Sequence, residues 1–174
     1  MGSSLIKWCI LMLKGSKIMA ELTVGSKAPA FTLPVDGGGK ISLAEMMGEK
    51  VVIYFYPKDD TPGCTQESCD FRDNLTSFKK GGAVIVGISK DSVERHDKFK
   101  KKFKLNFPLA SDEDGKICEK YGVWAQKSMY GKKYMGIERS TFLIDENGKI
   151  TRIWRKVNVA GHADEILSVL KEVK

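Results

Sequence analysis

The run Val51-Val52-Ile53-Tyr54-Phe55-Tyr56, followed by Pro57-Lys58-Asp59-Asp60-Thr61-Pro62-Gly63-Cys64, decides the fold. Six consecutive β-branched and aromatic residues suit a strand buried on both faces, as in a parallel sheet covered by helices. Pro57 stops it, since proline cannot donate to a sheet ladder. Thr61 stands where an N-cap belongs, and Pro62 follows at the first helical position, where its missing N–H is not needed. Phe71, Leu75 and Phe78 then recur at helical spacing. The pattern predicts one helix from Thr61 to about Lys80, ended by Gly81-Gly82.

The alternation of strand and helix continues outward. Ala83–Ser89 reads as a second buried strand, and Asp91 or Ser92 starts a lysine-rich helix. Phe107–Ala110 reads as a short strand and Gly115–Tyr121 as a short helix carrying Cys118. Thr141–Ile144 is a further strand, and Asn147-Gly148 turns it back into an antiparallel partner within Lys149–Val157. Gly161–Val173 closes the chain as an amphipathic helix with Ile166, Leu167 and Leu170 inward. Upstream, Ala30–Pro34 is a short apolar stretch ended by the turn cluster Asp36-Gly37-Gly38-Gly39, and Ser42 caps a short helix through Met47 that Gly48 ends. Trp124 and Met129 fall in a segment read as loop. Strands alternating with helices, then a hairpin and a last helix, predict an α/β protein, a three-layer α/β/α sandwich with a mixed sheet.

A chain of 174 residues, 42% hydrophobic and 29% charged, has the balance of one globular domain. No apolar run approaches the roughly 20 residues that span a bilayer. The net charge of +7 invites a nucleic-acid reading. The densest basic run, Lys98 to Lys104, is broken by Phe99 and Phe103 at i, i+4, which reads as a buried helix stripe among solvated lysines. No zinc finger, aromatic RNA-binding strand or basic zipper accompanies it, so neither nucleic acid nor membrane is an expected partner. Residues 1–18 read as an N-terminal extension, with a weak membrane or targeting segment as the alternative. The domain is expected over 19–174. The four cysteines, Cys9, Cys64, Cys69 and Cys118, are too few for a chain of this length to depend on a disulfide framework, and they suit a reducing, cytoplasmic compartment.

Cys64 follows the carboxyl end of the first buried strand, where open α/β sheets gather their active sites. As the third helical residue it faces unpaired backbone N–H groups and the positive end of the helix dipole, both of which favour a reactive thiolate. A small core residue on the Phe71–Leu75–Phe78 stripe is the equally open alternative. Cys69 lies five residues on, about 7.5 Å of rise and about 140° of rotation away on a helix. The two Cα atoms would then be roughly 8–9 Å apart, beyond the reach of a disulfide. If the pair reacts, the first helical turns must unwind. No metal site is expected, because the position a third iron–sulfur cysteine would need holds Arg72, and His96 and His162 are not spaced as a pair. These two histidines read as a helix-surface and a helix-start residue. A dithiol oxidoreductase would show C-x-x-C, which is absent. A basic binding module with structural thiols remains as the non-enzymatic alternative.

The segment Tyr54–Thr65 resembles a peroxiredoxin: Pro57, Thr61 and Cys64 match the family's P-x-x-x-T-x-x-C signature. Cys69, in Cys64-Thr65-Gln66-Glu67-Ser68-Cys69, is similar to the pattern of the peroxiredoxin Q or bacterioferritin comigratory protein subfamily. The resemblance extends through Gly25–Leu33, Gly87–His96, Ile137–Gly148 and Gly161–Leu170. It implies a thioredoxin-like fold and the reduction of hydrogen peroxide and organic hydroperoxides, without metal or organic cofactor. By the same resemblance Cys64 is the peroxidatic cysteine, oxidised to a sulfenic acid. Cys69 is the resolving cysteine, which forms an intramolecular disulfide with it, and thioredoxin or glutaredoxin is the reductant. Arg139 is implied as the arginine that steadies the thiolate, Thr61 as the hydroxyl that bonds the peroxide, and Pro57 as a shield of the pocket. Glu67 matches a common polar position but stays outside the expected site, since a salt bridge or a solvated helix face explains it as well. Cys118 is expected to be a packed helix residue and the protein a monomer.

Overall fold

The computed structural model describes residues 21–172. The reading of residues 1–18, Cys9 included, lies outside them. In chain order the elements are β1 (Thr32–Pro34), β2 (Lys40–Ser42), a 3-10 turn (Ala44–Met46), β3 (Lys50–Phe55), α1 (Pro62–Asp73), α2 (Leu75–Lys80), β4 (Ala83–Ser89), α3 (Val93–Phe103), β5 (Leu109–Ser111), α4 (Lys116–Lys120), β6 (Trp124–Met129), β7 (Lys132–Ile137), β8 (Ser140–Ile144), β9 (Ile150–Trp154) and α5 (His162–Glu172).

The central sheet has the order β5-β4-β3-β8-β9, with β3, β4 and β5 parallel and β8 and β9 antiparallel. Strand β3 lies in the middle. Its alternating side chains divide the core in two. Val51, Ile53 and Phe55 pack with Phe31, Leu43, Ile117, Tyr121 and Phe142 on one face. Val52, Tyr54 and Tyr56 pack with Phe71, Phe78, Phe99, Ile166 and Leu170, from α1, α2, α3 and α5, on the other. This is the expected three-layer sandwich with a mixed sheet, the architecture of the thioredoxin-like fold. Gly87 on β4 makes room for Tyr54 on β3, because a Cβ there would lie 2.8 Å from the tyrosine ring and hydroxyl.

Four local expectations are corrected. The helix read as continuous to Lys80 breaks at Asn74, whose side-chain amide donates to the carbonyl of Asp70 at 2.8 Å. Asparagine competes for helix carbonyls in this way. The helix expected from Ser42 is a single 3-10 turn. Trp124 and Met129 bound a strand, not a loop, and β6 pairs with β7 as an antiparallel ribbon apart from the central sheet. His96 is not on the helix surface but wholly buried, and His162 at the start of α5 is buried as well.

Candidate active site

Strand β3 delivers the chain into the loop Pro57–Thr61, and α1 rises from it with Cys64 as its third residue. The first intrahelical bond runs from the N–H of Thr65 to the carbonyl of Thr61, at 2.8 Å. Thr61 has the extended backbone of an N-cap, but its side chain makes no cap bond. The hydroxyl donates to the carbonyl of Lys58 at 2.8 Å. Asp60, before it, takes a left-handed conformation (φ 59°), which aspartate tolerates better than most residues. Pro57 is exposed at the strand end.

Cys64 is a free thiol with 1% exposure, and its Sγ accepts a hydrogen bond from Arg139 Nη2 at 3.3 Å. Arg139 comes from the link between β7 and β8, so the start of β8, the strand beside β3, carries the cation to the helix start. Its second amino group donates from Nη1 to Glu67 Oε1 at 2.9 Å. Glu67 lies three residues after Cys64, hence on the same helix face. It is 2% exposed, and its Oε2 has no partner. Burial raises the Glu67 carboxyl to about 7, against the pull of Arg139. Burial works against the charge of Arg139, but Glu67 and Cys64 together hold its affinity for a proton above the ordinary value. Gly63 completes the contact, for a Cβ there would sit 3.1 Å from Arg139 Nη2.

The expected residues Cys64, Arg139, Thr61 and Pro57 thus gather at one end of β3. Cys69 lies on the same intact helix, is partly exposed and unbonded, and burial raises its thiol above the usual value. Cys118 is in α4, part of the core on the opposite face of the sheet from Cys64, and burial and then Asp112 push its thiol well up. Sequence reasoning missed Glu67 as a partner of the arginine, although its spacing from Cys64 was the available signal. It also missed Lys127 on β6, a half-buried cation whose affinity for a proton is lowered by burial and by Arg139. No signal for it existed without the β6–β7 ribbon. No group of three or more His, Cys, Asp or Glu side chains placed to hold a metal occurs among the described residues. No helix among them is long and apolar enough to cross a membrane.

A buried thiol in the first turn of a helix, bonded to an arginine and set at the end of a thioredoxin-like sheet, defines a cysteine-based redox protein. The AhpC/TSA family profile matches residues 24–153. The chain is 56% identical over 150 residues to the Bcp chain of Coxiella burnetii, covering 86% of this chain and 99% of that one. It is 50% identical over 152 residues to peroxiredoxin Bcp of Bacillus subtilis, covering 87% and 97%. A solved structure of the Xanthomonas campestris bacterioferritin comigratory protein, studied for its alkyl peroxide reduction activity, superposes with a TM-score of 0.78 at 49% identity, over 82% of this chain and 90% of that one. The chain belongs to the AhpC/TSA family, in its peroxiredoxin Q/Bcp branch, and is an oxidoreductase of the thiol-peroxidase class.

Proposed function

We propose that the protein reduces hydrogen peroxide and organic hydroperoxides through a two-cysteine cycle within one chain, as an antioxidant of the cytoplasm. The observation that carries this reading is the 3.3 Å contact of Arg139 Nη2 with Cys64 Sγ at the start of α1. The guanidinium and the first-turn N–H groups favour a negative sulfur, and a charge-assisted bond of this kind is stronger than a neutral one.

The thiolate of Cys64 attacks one peroxide oxygen. The O–O bond breaks, sulfur becomes the sulfenic acid, and the alkoxide or hydroxide leaves, taking a proton to become alcohol or water. Thr61 has its hydroxyl proton committed to the carbonyl of Lys58, so its oxygen is free to accept a hydrogen bond from the peroxide O–H. Arg139 stabilises the charge that builds on the leaving oxygen. Pro57 contributes a wall that offers the substrate no competing donor. Cys69 then attacks the oxidised sulfur, the disulfide forms and water leaves. Thioredoxin or glutaredoxin restores both thiols by exchange and takes up the oxidation as its own disulfide. The alkyl peroxide reduction activity of the X. campestris relative supports organic hydroperoxides among the substrates. The closed intramolecular cycle needs no second subunit, which supports a monomer as the working form.

Peroxide consumption with a thioredoxin recycling system tests the scheme. Cys64→Ser should be inactive, and Cys69→Ser should stop after one turnover. Full cycling by Cys69→Ser would move resolution elsewhere and sink the two-cysteine reading.

A further inference from the structure

Helix α3 grips the chain on both sides of the two cysteines. Ahead of Cys64, the buried ring of His96 has Nδ1 2.6 Å from Asp59 Oδ2 and Nε2 3.1 Å from the carbonyl of Ala110. Asp59 also accepts from the Tyr56 hydroxyl at 2.6 Å, and its N–H donates to Asp91 Oδ2 at 2.8 Å. Backbone and side chain of this loop residue are therefore both tied down. Beyond Cys69, Arg72 Nη1 donates to the carbonyl of Phe103 at 2.6 Å. Phe103 ends α3, where carbonyls have no intrahelical partner and the helix dipole is negative, so a guanidinium is well suited to cap it. Arg72 also pairs with its neighbour Asp73 at 2.9 Å, and the side chain of Asn106 donates to the Arg72 carbonyl at 3.4 Å. The Lys102–Asp60 pair is exposed on both sides and adds little. Among the described residues no hydrogen bond or ion pair joins residues 61–71 to α3.

We propose that α3 brackets the redox helix: His96, through Asp59, fixes the loop before Cys64, while Arg72, through the Phe103 carbonyl, holds the helix beyond Cys69. Unwinding for disulfide formation is thereby confined to Thr61–Phe71, where it must break the Glu67–Arg139 pair and the Ser68–Tyr54 bond, and the Arg72 anchor adds to what resists it from outside the segment. Neither residue touches the reacting sulfur; both are positioning residues. The inference rests on the reading of Cys69 as the resolving thiol. In that step the Cys69 sulfur forms the S–S bond as the S–O bond of the Cys64 sulfenic acid breaks, and the hydroxyl leaves with the thiol proton as water. Releasing Arg72 would let unwinding run on to the existing break at Asn74, giving the two sulfurs more chain with which to meet.

Rapid mixing of reduced protein with peroxide, followed by tryptophan fluorescence, separates a peroxide-dependent phase (attack) from a peroxide-independent phase (resolution). Arg72→Ala should leave the attack constant within about twofold and speed resolution several-fold, up to about tenfold, the net weight of one ordinary hydrogen bond, since the Arg72 side chain is partly open to solvent. Arg72→Lys, which can still donate to the Phe103 carbonyl, should fall between, and Lys102→Ala should behave as wild type. Mass spectrometry should find that more peroxide is needed to drive Cys64 to the sulfinic acid in the same order. A merely structural arginine would shift the melting temperature without separating the two phases. If wild type forms the Cys64–Cys69 disulfide while Arg72→Ala resolves at the same rate or slower, the bracket alone is overturned. If wild type forms no such disulfide, the resolving role of Cys69 falls, and the bracket falls with it.

Discussion

Replacing Gly63 by alanine should separate stability from catalysis. The added Cβ would lie 3.1 Å from Arg139 Nη2, closer than carbon and nitrogen comfortably sit, so the guanidinium must retreat by a few tenths of an ångström. Gly63 adjoins Cys64, and the same Nη2 that the new Cβ would crowd makes the 3.3 Å bond to the sulfur, so the displacement falls on that bond. A hydrogen bond to a charged group contributes about 1.5–3 kcal/mol. Weakening it should lower the rate constant of peroxide attack several-fold, with the roughly 10- to 150-fold of its complete loss as the upper bound. Alanine is meanwhile the better helix former by up to about 1 kcal/mol, and the backbone of Gly63 is not left-handed. The melting temperature should therefore hold or rise by about 2–4 °C. The assay is the second-order reaction of reduced protein with peroxide, set beside a thermal melt. An attack constant within about twofold of wild type would refute the reasoning, since the arginine would then act without its close contact to sulfur.

The carboxyl of Glu67, raised to about 7, makes stability depend on pH. Between about pH 4.5 and 7 the unfolded chain has released this proton while the folded chain keeps it, so rising pH favours unfolding by about 3 kcal/mol over that window, with no further change above it. Urea titrations from pH 4.5 to 8 should show Glu67→Gln without this decline, its stability rising relative to wild type by about that amount. A parallel pH dependence of the two proteins would show that Glu67 is ionised throughout. Cys118→Ala should keep full peroxide cycling while destabilising by about 1–2 kcal/mol, the scale of trimming a buried side chain. Loss of cycling in a folded Cys118→Ala protein would bring that thiol into the mechanism.

Much of the architecture was legible because its signals are local. The unbroken apolar run of β3 announces a doubly buried strand, and Thr61-Pro62 announces the start of α1. The distance between helical turns alone showed that Cys64 and Cys69 could not bond in an intact helix. What the chain hid depends on partners far away in sequence. The histidine of α3 looks like a surface residue until the loop carboxylate of Asp59, 37 residues earlier, is laid against it. Glu67 reads equally as a salt-bridged or a solvated helix position until Arg139, 72 residues on, is laid against it. The strands β6 and β7 mix Lys127, Lys132 and Lys133 with Met129, Tyr134 and Met135, without the alternation that marks a half-buried strand, since much of the ribbon is open to solvent. Thr61 shows the opposite limit. Its cap position was right, but a nearer carbonyl took its hydroxyl.

The ring of Tyr54 fills the space that a side chain at Gly87 would need, and its hydroxyl shares a 2.9 Å hydrogen bond with Ser68 on α1. The tyrosine is therefore a strut, footed on the bare backbone of β4 and bearing on the helix between the two cysteines. Its length is fixed by the phenol ring, so the standoff of α1 from the sheet depends on position 87 having no side chain at all. Bulk added at that distant strand residue would be felt as a tilt of the helix, in a protein whose secondary structure stays whole.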